Sequence, residues 1–113
     1  MTTLEHIVRA IEIFGFPYSP GVYTGPEEHW FTYNYVDDYG ELFGDDEPLE
    51  TVNRIQLHYF LPVEENYLKM KNEIRDALLR EGFTYPEIES MDDPNPDIRH
   101  LIFECEIEEE REE

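Results

Sequence analysis

The alternation of apolar and polar side chains is clearest between Thr51 and Leu61. Every second residue in the later part of this stretch is apolar: Ile55, Leu57, Tyr59 and Leu61. Polar residues dominate the positions between them: Arg54, Gln56 and His58. A period of two with β-branched and aromatic residues is typical of a strand with one buried face. Pro62 has no amide hydrogen to donate, so the pattern predicts that the strand ends there.

Apolar residues recur every three or four positions in two other segments, which predicts two amphipathic helices. The first opens with a capping box between Thr2 and Glu5 and ends near Gly15. Its apolar face consists of Leu4, Ile7, Val8, Ile11 and Phe14. The second begins after Glu65, and Gly82 is placed to form a left-handed C-terminal cap. Its apolar stripe consists of Tyr67, Met70, Ile74, Ala77 and Leu78.

Two further stretches, 29–36 and 99–107, alternate in the manner of strands. In the second, the residues predicted to face the core are Leu101, Phe103, Cys105 and Ile107. The first has large side chains on both faces, which fits a strand with the core on one side and a partner on the other. A shorter strand is predicted between Thr84 and Met91, and Val22-Tyr23 is a candidate edge strand.

A helix with one apolar face has to bury that face against another element. The pattern therefore predicts an α+β fold, with a single mixed or antiparallel sheet of about four to five strands and two amphipathic helices packed on one face. The length suits one domain, residues 1–108, followed by an acidic C-terminal tail, residues 109–113.

The segment 37–50 joins two of the predicted strands, and its Gly, Pro and Asp residues indicate a connecting loop. Three apolar residues interrupt its acidic run: Tyr39, Leu42 and Phe43. A protruding arm that packs on a neighbouring molecule would use these side chains. The alternative is that they fold back onto the edge of their own domain.

The chain has 28 acidic and 8 basic residues, for a formal net charge of -20. Hydrophobic residues make up 40% of it and occur in periodic runs, so this charge belongs to the surface of a folded domain. Such a surface repels DNA phosphates and anionic membranes, which argues against direct nucleic-acid binding and membrane association. Cys105 is the only cysteine, which excludes a disulfide within the chain. The lack of a signal-peptide pattern or a long apolar run predicts a protein of the reducing cytoplasm.

The candidate chemistry is sparse. The four histidines are His6, His29, His58 and His100, and no two have the spacing of a helical metal pair. With one cysteine, the sequence predicts no metal site, no cofactor and no catalytic residues. His58 and His100 fall on the strand faces away from the core, so pairing of their strands would bring them together. We interpret them as surface or interface imidazoles.

Three patches of the sequence carry a resemblance to a known family. The first is WFTYNY (30–35) with LFGDD (42–46), the second IQLHYFLP (55–62) with ENY (65–67), and the third GFTYPEI (82–88) leading to RHLIFECEI (99–107). Together they resemble the small tail-terminator or head–tail joining proteins, also called tail completion proteins, of long-tailed phages and prophages of Gram-positive bacteria. The resemblance spans nearly the whole chain.

The resemblance implies an α+β subunit that assembles with itself into a ring, commonly a hexamer. Such a ring ends the tail tube and joins it to the head, so its partners are tail-tube and head-connector proteins. The expected location is the host cytoplasm during assembly and then the virion. The family brings no catalytic residues. The candidate interface residues of this chain are Trp30, Tyr39, Leu42, Phe43, His58 and His100.

Two other functions fit parts of the sequence. The net charge alone supports an acidic binding protein that mimics DNA and inhibits a nuclease or regulator. A cytoplasmic enzyme is the second, and no constellation of residues supports it. Exposed apolar patches distinguish these classes, because a ring subunit needs them and a DNA mimic does not.

Overall fold

The computed structural model describes the backbone of residues 2–44 and 47–109 and the side chains of residues 2–37 and 51–108. In chain order the elements are helix α1 (Thr3–Ile11) with a 3-10 turn (Glu12–Phe14), strands β1 (Tyr18–Pro20), β2 (Trp30–Gly44) and β3 (Glu47–Pro62), helix α2 (Leu68–Arg80), and strands β4 (Glu87–Asp92) and β5 (Ile98–Glu109).

The strands form one mixed sheet in the order β1-β2-β3-β5-β4. β1 runs parallel to β2, and every other neighbouring pair is antiparallel. The predicted α+β architecture of one sheet and two helices is therefore confirmed. The edge strand lies at Tyr18–Pro20 rather than at Val22-Tyr23, because Gly21 turns the chain with a φ of 80° and leaves Val22 72% exposed.

The core lies between the helices and one face of the sheet. The alternating apolar residues of β3 and β5 are buried there as predicted, beneath the stripes of both helices. The fully buried members with the largest side chains include Ile7, Ile11, Phe31, Ile55, Leu57, Tyr59, Ile74, Leu78, Leu101 and Phe103. Asn53 is also fully buried, and its Nδ2 donates to Thr3 Oγ1 on α1 at 2.8 Å. This hydrogen bond ties the first helix to the middle of the sheet.

The helix ends follow the sequence signals, with one shift. Thr2 and Glu5 form the predicted capping box, and Gly82 has the left-handed φ of 100° that a C-terminal cap requires. Helix α2 begins at Leu68, so Glu64 and Glu65 lie before its first turn. The Asn66 side chain accepts from the Leu68 amide at 2.9 Å and holds the preceding turn outside the helix.

Residues 37–50 do not form the predicted loop. β2 and β3 continue through this segment as an antiparallel ribbon whose register runs to Gly44 opposite Glu47. Within the described residues, β5 pairs with β3 as far as Glu109 opposite Thr51, so the ribbon extends beyond the described part of β5, and the molecule measures 53 × 25 × 24 Å. We call residues 37–50 the arm. The side chains of Tyr39, Leu42 and Phe43 lie outside the described residues, so their contact with a neighbour stays a prediction.

The arm begins at an irregularity in β2. The register shifts between Tyr35, which lies opposite Ile55, and Asp37, which lies opposite Arg54. Val36 is therefore the extra residue of a β-bulge. Local composition favoured a loop here, but the pairing of two long strands outweighs the weak strand propensity of Gly and Asp.

Candidate functional site on the open face of the sheet

Both helices pack against the same face of the sheet, so no helix of the described chain covers the opposite face. We call this opposite side the open face. It carries the alternate residues of four strands: Trp30, Thr32, Asn34, Arg54, Gln56, His58, Phe60, Met91, His100, Ile102, Glu104 and Glu106. Its composition changes from one end of the strands to the other.

One end of the open face carries a row of large side chains across four strands. The register places Trp30 opposite Phe60, Phe60 opposite His100, and His100 opposite Met91. The Trp30 and Phe60 rings stack with centroids 4.9 Å apart, and the Phe60 and His100 rings stack at 4.2 Å. These four residues, which we call the aromatic row, are half-buried except for Met91, which is 49% exposed. Such cross-strand stacking stabilises the sheet and also leaves a flat apolar surface.

His58 lies beside this row and touches His100, one of its members. His58 Nδ1 is 2.7 Å from His100 Nε2, and His58 Nε2 is 2.8 Å from Asn34 Oδ1. The amide oxygen can only accept, so neutral His58 carries its hydrogen on Nε2. His58 Nδ1 then accepts from the N–H of His100. The network thus assigns one tautomer to each ring.

Burial lowers the pKa of His58 from its usual 6.5 to about 4, and the neighbouring His100 lowers it further. The same kind of burial lowers the pKa of His100, although Asp93 acts in the opposite direction. A proton added to His58 Nδ1 would point at the N–H of His100 and remove their hydrogen bond. The pair is therefore stable as two neutral rings.

This arrangement predicts a pH dependence of stability. The pKa of His58 is lower in the folded chain than in the unfolded chain, so the unfolded state takes up the proton first as pH falls. The stabilisation present above pH 6.5 is lost between about pH 6.5 and 4. We expect His58→Gln to reduce this loss by about 1–2 kcal/mol, after allowing for partial solvent screening. Denaturant titrations of the parent and the variant at several pH values measure the difference.

His6→Gln is the matched control for removal of one imidazole, because His6 lies on α1, far from the pair. Carboxylates titrate in the same range in all three proteins, so only the differences between them are informative. Equal loss of stability in the parent and His58→Gln would show that the His58 pKa is not shifted by folding.

The other end of the open face is acidic. Glu104 lies opposite Gln56 on one side and Glu87 on the other, and Glu106 lies opposite Arg54. Arg54 donates through Nη2 and Nε to Glu106 Oε1 at 2.8 and 3.0 Å. The open face therefore has an aromatic half with neutral imidazoles and a half rich in carboxylates.

The structure brings together three of the six predicted interface residues: Trp30, His58 and His100. The other three, Tyr39, Leu42 and Phe43, belong to the strands of the arm. Sequence reasoning missed Phe60 and Met91, which complete the aromatic row. Phe60 carried a usable signal, because it is an apolar residue among the polar alternate positions of its strand.

A second polar network lies on the opposite, helix-covered side. Tyr59 is fully buried, its hydroxyl is 2.8 Å from His29 Nδ1, and His29 Nε2 is 2.7 Å from Glu65. The carboxylate accepts from Nε2–H, so Nδ1 of the neutral ring accepts from the Tyr59 hydroxyl. Burial, with a smaller effect of Glu65, raises the pKa of Tyr59 above its usual 10. This network satisfies a buried hydroxyl and gives no substrate access to it.

In the described part of the chain, no three His, Cys, Asp or Glu side chains are grouped as metal ligands. His58 and His100 together supply two imidazoles only. Cys105 is buried, and burial raises the pKa of its thiol to about 12, so it is held as the weakly reactive thiol.

Within residues 2–44 and 47–109, no helix is long and apolar enough to cross a membrane. Comparison with known proteins matches the chain to no protein family and to no curated protein sequence.

Proposed function

We propose that this protein is a structural subunit of a ring at the head–tail junction of a long-tailed phage or prophage, where it ends the tail tube and joins it to the head. The observation that carries the proposal is the aromatic row on the open face. The sequence resemblance described above supports the same role. The proposed role needs no catalytic group.

The aromatic row has the chemistry of an interface core. Aromatic residues and methionine are enriched where protein surfaces meet, and charged residues are depleted there. Trp30, Phe60 and Met91 meet this description, and the His58–His100 pair adds no charge because its rings are neutral. Burial of this half of the open face against another subunit would remove from water an apolar strip that the helices leave uncovered.

The arm supports the proposal by its shape. A ribbon that extends past Glu109, the last described residue of β5, reaches beyond the core that the described residues form. A two-stranded ribbon is marginally stable by itself and needs packing against a further element. Contact with a neighbouring subunit would supply that packing.

The strong negative charge is compatible with a ring that DNA passes through. A passage lined with carboxylates repels phosphates and does not hold the DNA. The acidic half of the open face, with Glu87, Glu104 and Glu106, is one surface of this kind.

Sedimentation velocity of the purified protein, combined with negative-stain imaging, tests the proposal. We expect a single closed oligomer with a ring outline at micromolar concentration. A protein that stays monomeric at every concentration and salt condition would contradict the ring. In that case the DNA-mimic function predicts that the protein competes with duplex DNA for a nuclease or regulator.

The proposal also predicts that the apolar residues of the arm are needed for self-assembly. Replacement of Leu42 and Phe43 together by serine is expected to weaken self-assembly or joining by at least about tenfold, since each buried apolar side chain contributes about 1.5–3 kcal/mol. The thermal unfolding midpoint is expected to stay close to that of the parent. Thermal melting alongside sedimentation measures both quantities.

Ile13→Ser/Val22→Ser is the matched control, because it removes two apolar side chains that are 63% and 72% exposed outside the arm. A large fall in the melting temperature of the arm variant would mean that Leu42 and Phe43 belong to the core. Unchanged assembly would exclude them from the interface.

A further inference from the structure

A row of alternating cations and tyrosines runs along the helical side of the molecule. Arg99 lies over the Tyr67 ring at 4.4 Å, and Lys71 lies over the same ring at 5.9 Å. Arg75 is four residues after Lys71, on the same side of α2, and lies over the Tyr85 ring at 5.0 Å. We call these five residues the cation–tyrosine row.

The cations of this row lack carboxylate partners within the described residues. The ion pairs found there use other cations, namely Arg9, Arg54 and Lys69. Arg75 donates to Asn72 Oδ1 and Arg99 to the Val63 carbonyl, and each guanidinium has five N–H donors. In a chain with 28 acidic and 8 basic residues, these three cations lie together without a carboxylate in ion-pair contact in the described chain, the nearest in register being Asp92 opposite Arg99.

Tyrosine rings hold these cations in place. A guanidinium or ammonium group over an aromatic face keeps its charge while losing side-chain freedom. A cation whose side chain is already ordered loses less conformational entropy on binding a carboxylate than a mobile one does. The row is therefore preorganised to bind an anionic partner.

The chain itself contains a segment of complementary charge. Seven of the fourteen residues of the arm are Asp or Glu, and none is Lys or Arg. The arm extends β2 and β3, whereas the cation–tyrosine row joins α2 to β5 and to the segment before β4. The arm and the cation–tyrosine row occupy different places on one subunit. The arm of one copy can therefore bind the row of the next, which is a head-to-tail contact. A contact of that kind forms a ring where the rotation between copies closes, and an open filament where it does not.

We propose that the cation–tyrosine row of one subunit is the docking surface for the acidic arm of the next. This inference rests on the proposed ring function and names two surfaces that take part in its subunit contact in addition to the aromatic row. Carboxylates of the arm bind Lys71, Arg75 and Arg99, and the ordered tyrosines supply apolar contact area beside them.

The test is a charge exchange between the two surfaces. Lys71→Glu/Arg75→Glu is expected to weaken association by at least about tenfold in sedimentation velocity at fixed salt. Glu41→Lys/Glu50→Lys is expected to do the same, since these two residues lie opposite each other in the arm. A chain with all four substitutions restores opposite charges across the contact and the parent's formal net charge of -20, and is expected to recover association.

Lys69→Glu/Arg80→Glu is the matched control. It and Lys71→Glu/Arg75→Glu each replace two positive charges of α2 by two negative ones, so both variants carry a formal net charge of -24. Only the second pair belongs to the row. The control is expected to associate like the parent, and circular dichroism and thermal melting verify that each variant is folded.

The outcomes separate this inference from the proposed ring. A parent that never associates contradicts the ring itself. A parent that associates while Lys71→Glu/Arg75→Glu behaves like the control overturns the docking surface alone. Failure of the four-substitution chain to recover overturns the arm as the occupant. Binding of labelled duplex DNA to the parent, and its loss in Lys71→Glu/Arg75→Glu, would assign the row to phosphate and also overturn the inference.

Discussion

Replacement of Leu57 by alanine is expected to lower the free energy of unfolding by about 2–5 kcal/mol. Leu57 is fully buried in the middle of β3, between Tyr33 on one neighbouring strand and Phe103 on the other. Its truncation removes apolar contacts on both sides and leaves a cavity between two helices and the sheet, where strands held on both edges relax little. Denaturant titration measures the change.

Leu79→Ala is the matched control for this prediction. It deletes the same atoms from a leucine of α2 that is 39% exposed, so we expect a loss below about 1 kcal/mol. Similar losses for Leu57→Ala and Leu79→Ala would contradict the register, because a shift of β3 by one residue would turn Leu57 to the open face.

Substitution of Trp30 and Phe60 together by serine is expected to reduce self-association by at least about a hundredfold, equivalent to about 2.8 kcal/mol. Stacked aromatic side chains at the centre of an interface contribute most of its binding free energy. Their loss removes the two stacked aromatic rings at the β2–β3 side of the aromatic row and puts polar groups in their place. Sedimentation velocity across a concentration series measures the effect.

The stacked pair also contributes to the stability of the subunit, so Met91→Glu provides an independent check. Met91 ends the same row and is 49% exposed, and a charge at this position does not disturb the core. We expect it to melt like the parent and to associate at least about tenfold more weakly. Normal association of both variants would place the subunit contact away from the open face.

The elements that sequence reasoning located correctly are those whose signal is local. The alternation of Ile55, Leu57 and Tyr59 indicates which face of one strand is buried. The capping box at Thr2 indicates where one helix begins. Each of these patterns depends on residues a few positions apart. The α+β fold could be inferred from them because amphipathic helices and half-buried strands have few ways to cover one another.

The features that could not be predicted depend on contacts distant in the sequence. The sequence places His58 and His100 on the faces away from the core, but their contact needs β3 and β5 to be neighbours, a pairing that no pattern within either strand contains. The arm was misassigned because its Asp and Gly residues are typical of loops, whereas pairing between β2 and β3 holds them extended. The cation–tyrosine row likewise needs α2, β5 and the segment before β4 to be in place.

The β-bulge at Val36 lies at the base of the arm and affects the direction in which the arm extends. With a rise of about 3.3 Å per residue, the arm carries Gly44 roughly 23 Å from Asp37. A bend of about 10° at the bulge would then displace that end by about 4 Å, since a bulge bends its strand. The backbone conformation at Val36 therefore sets the direction in which the arm points. In a ring built through this arm, the angle set at one residue determines the angle between adjacent subunits, and so how many of them close the circle.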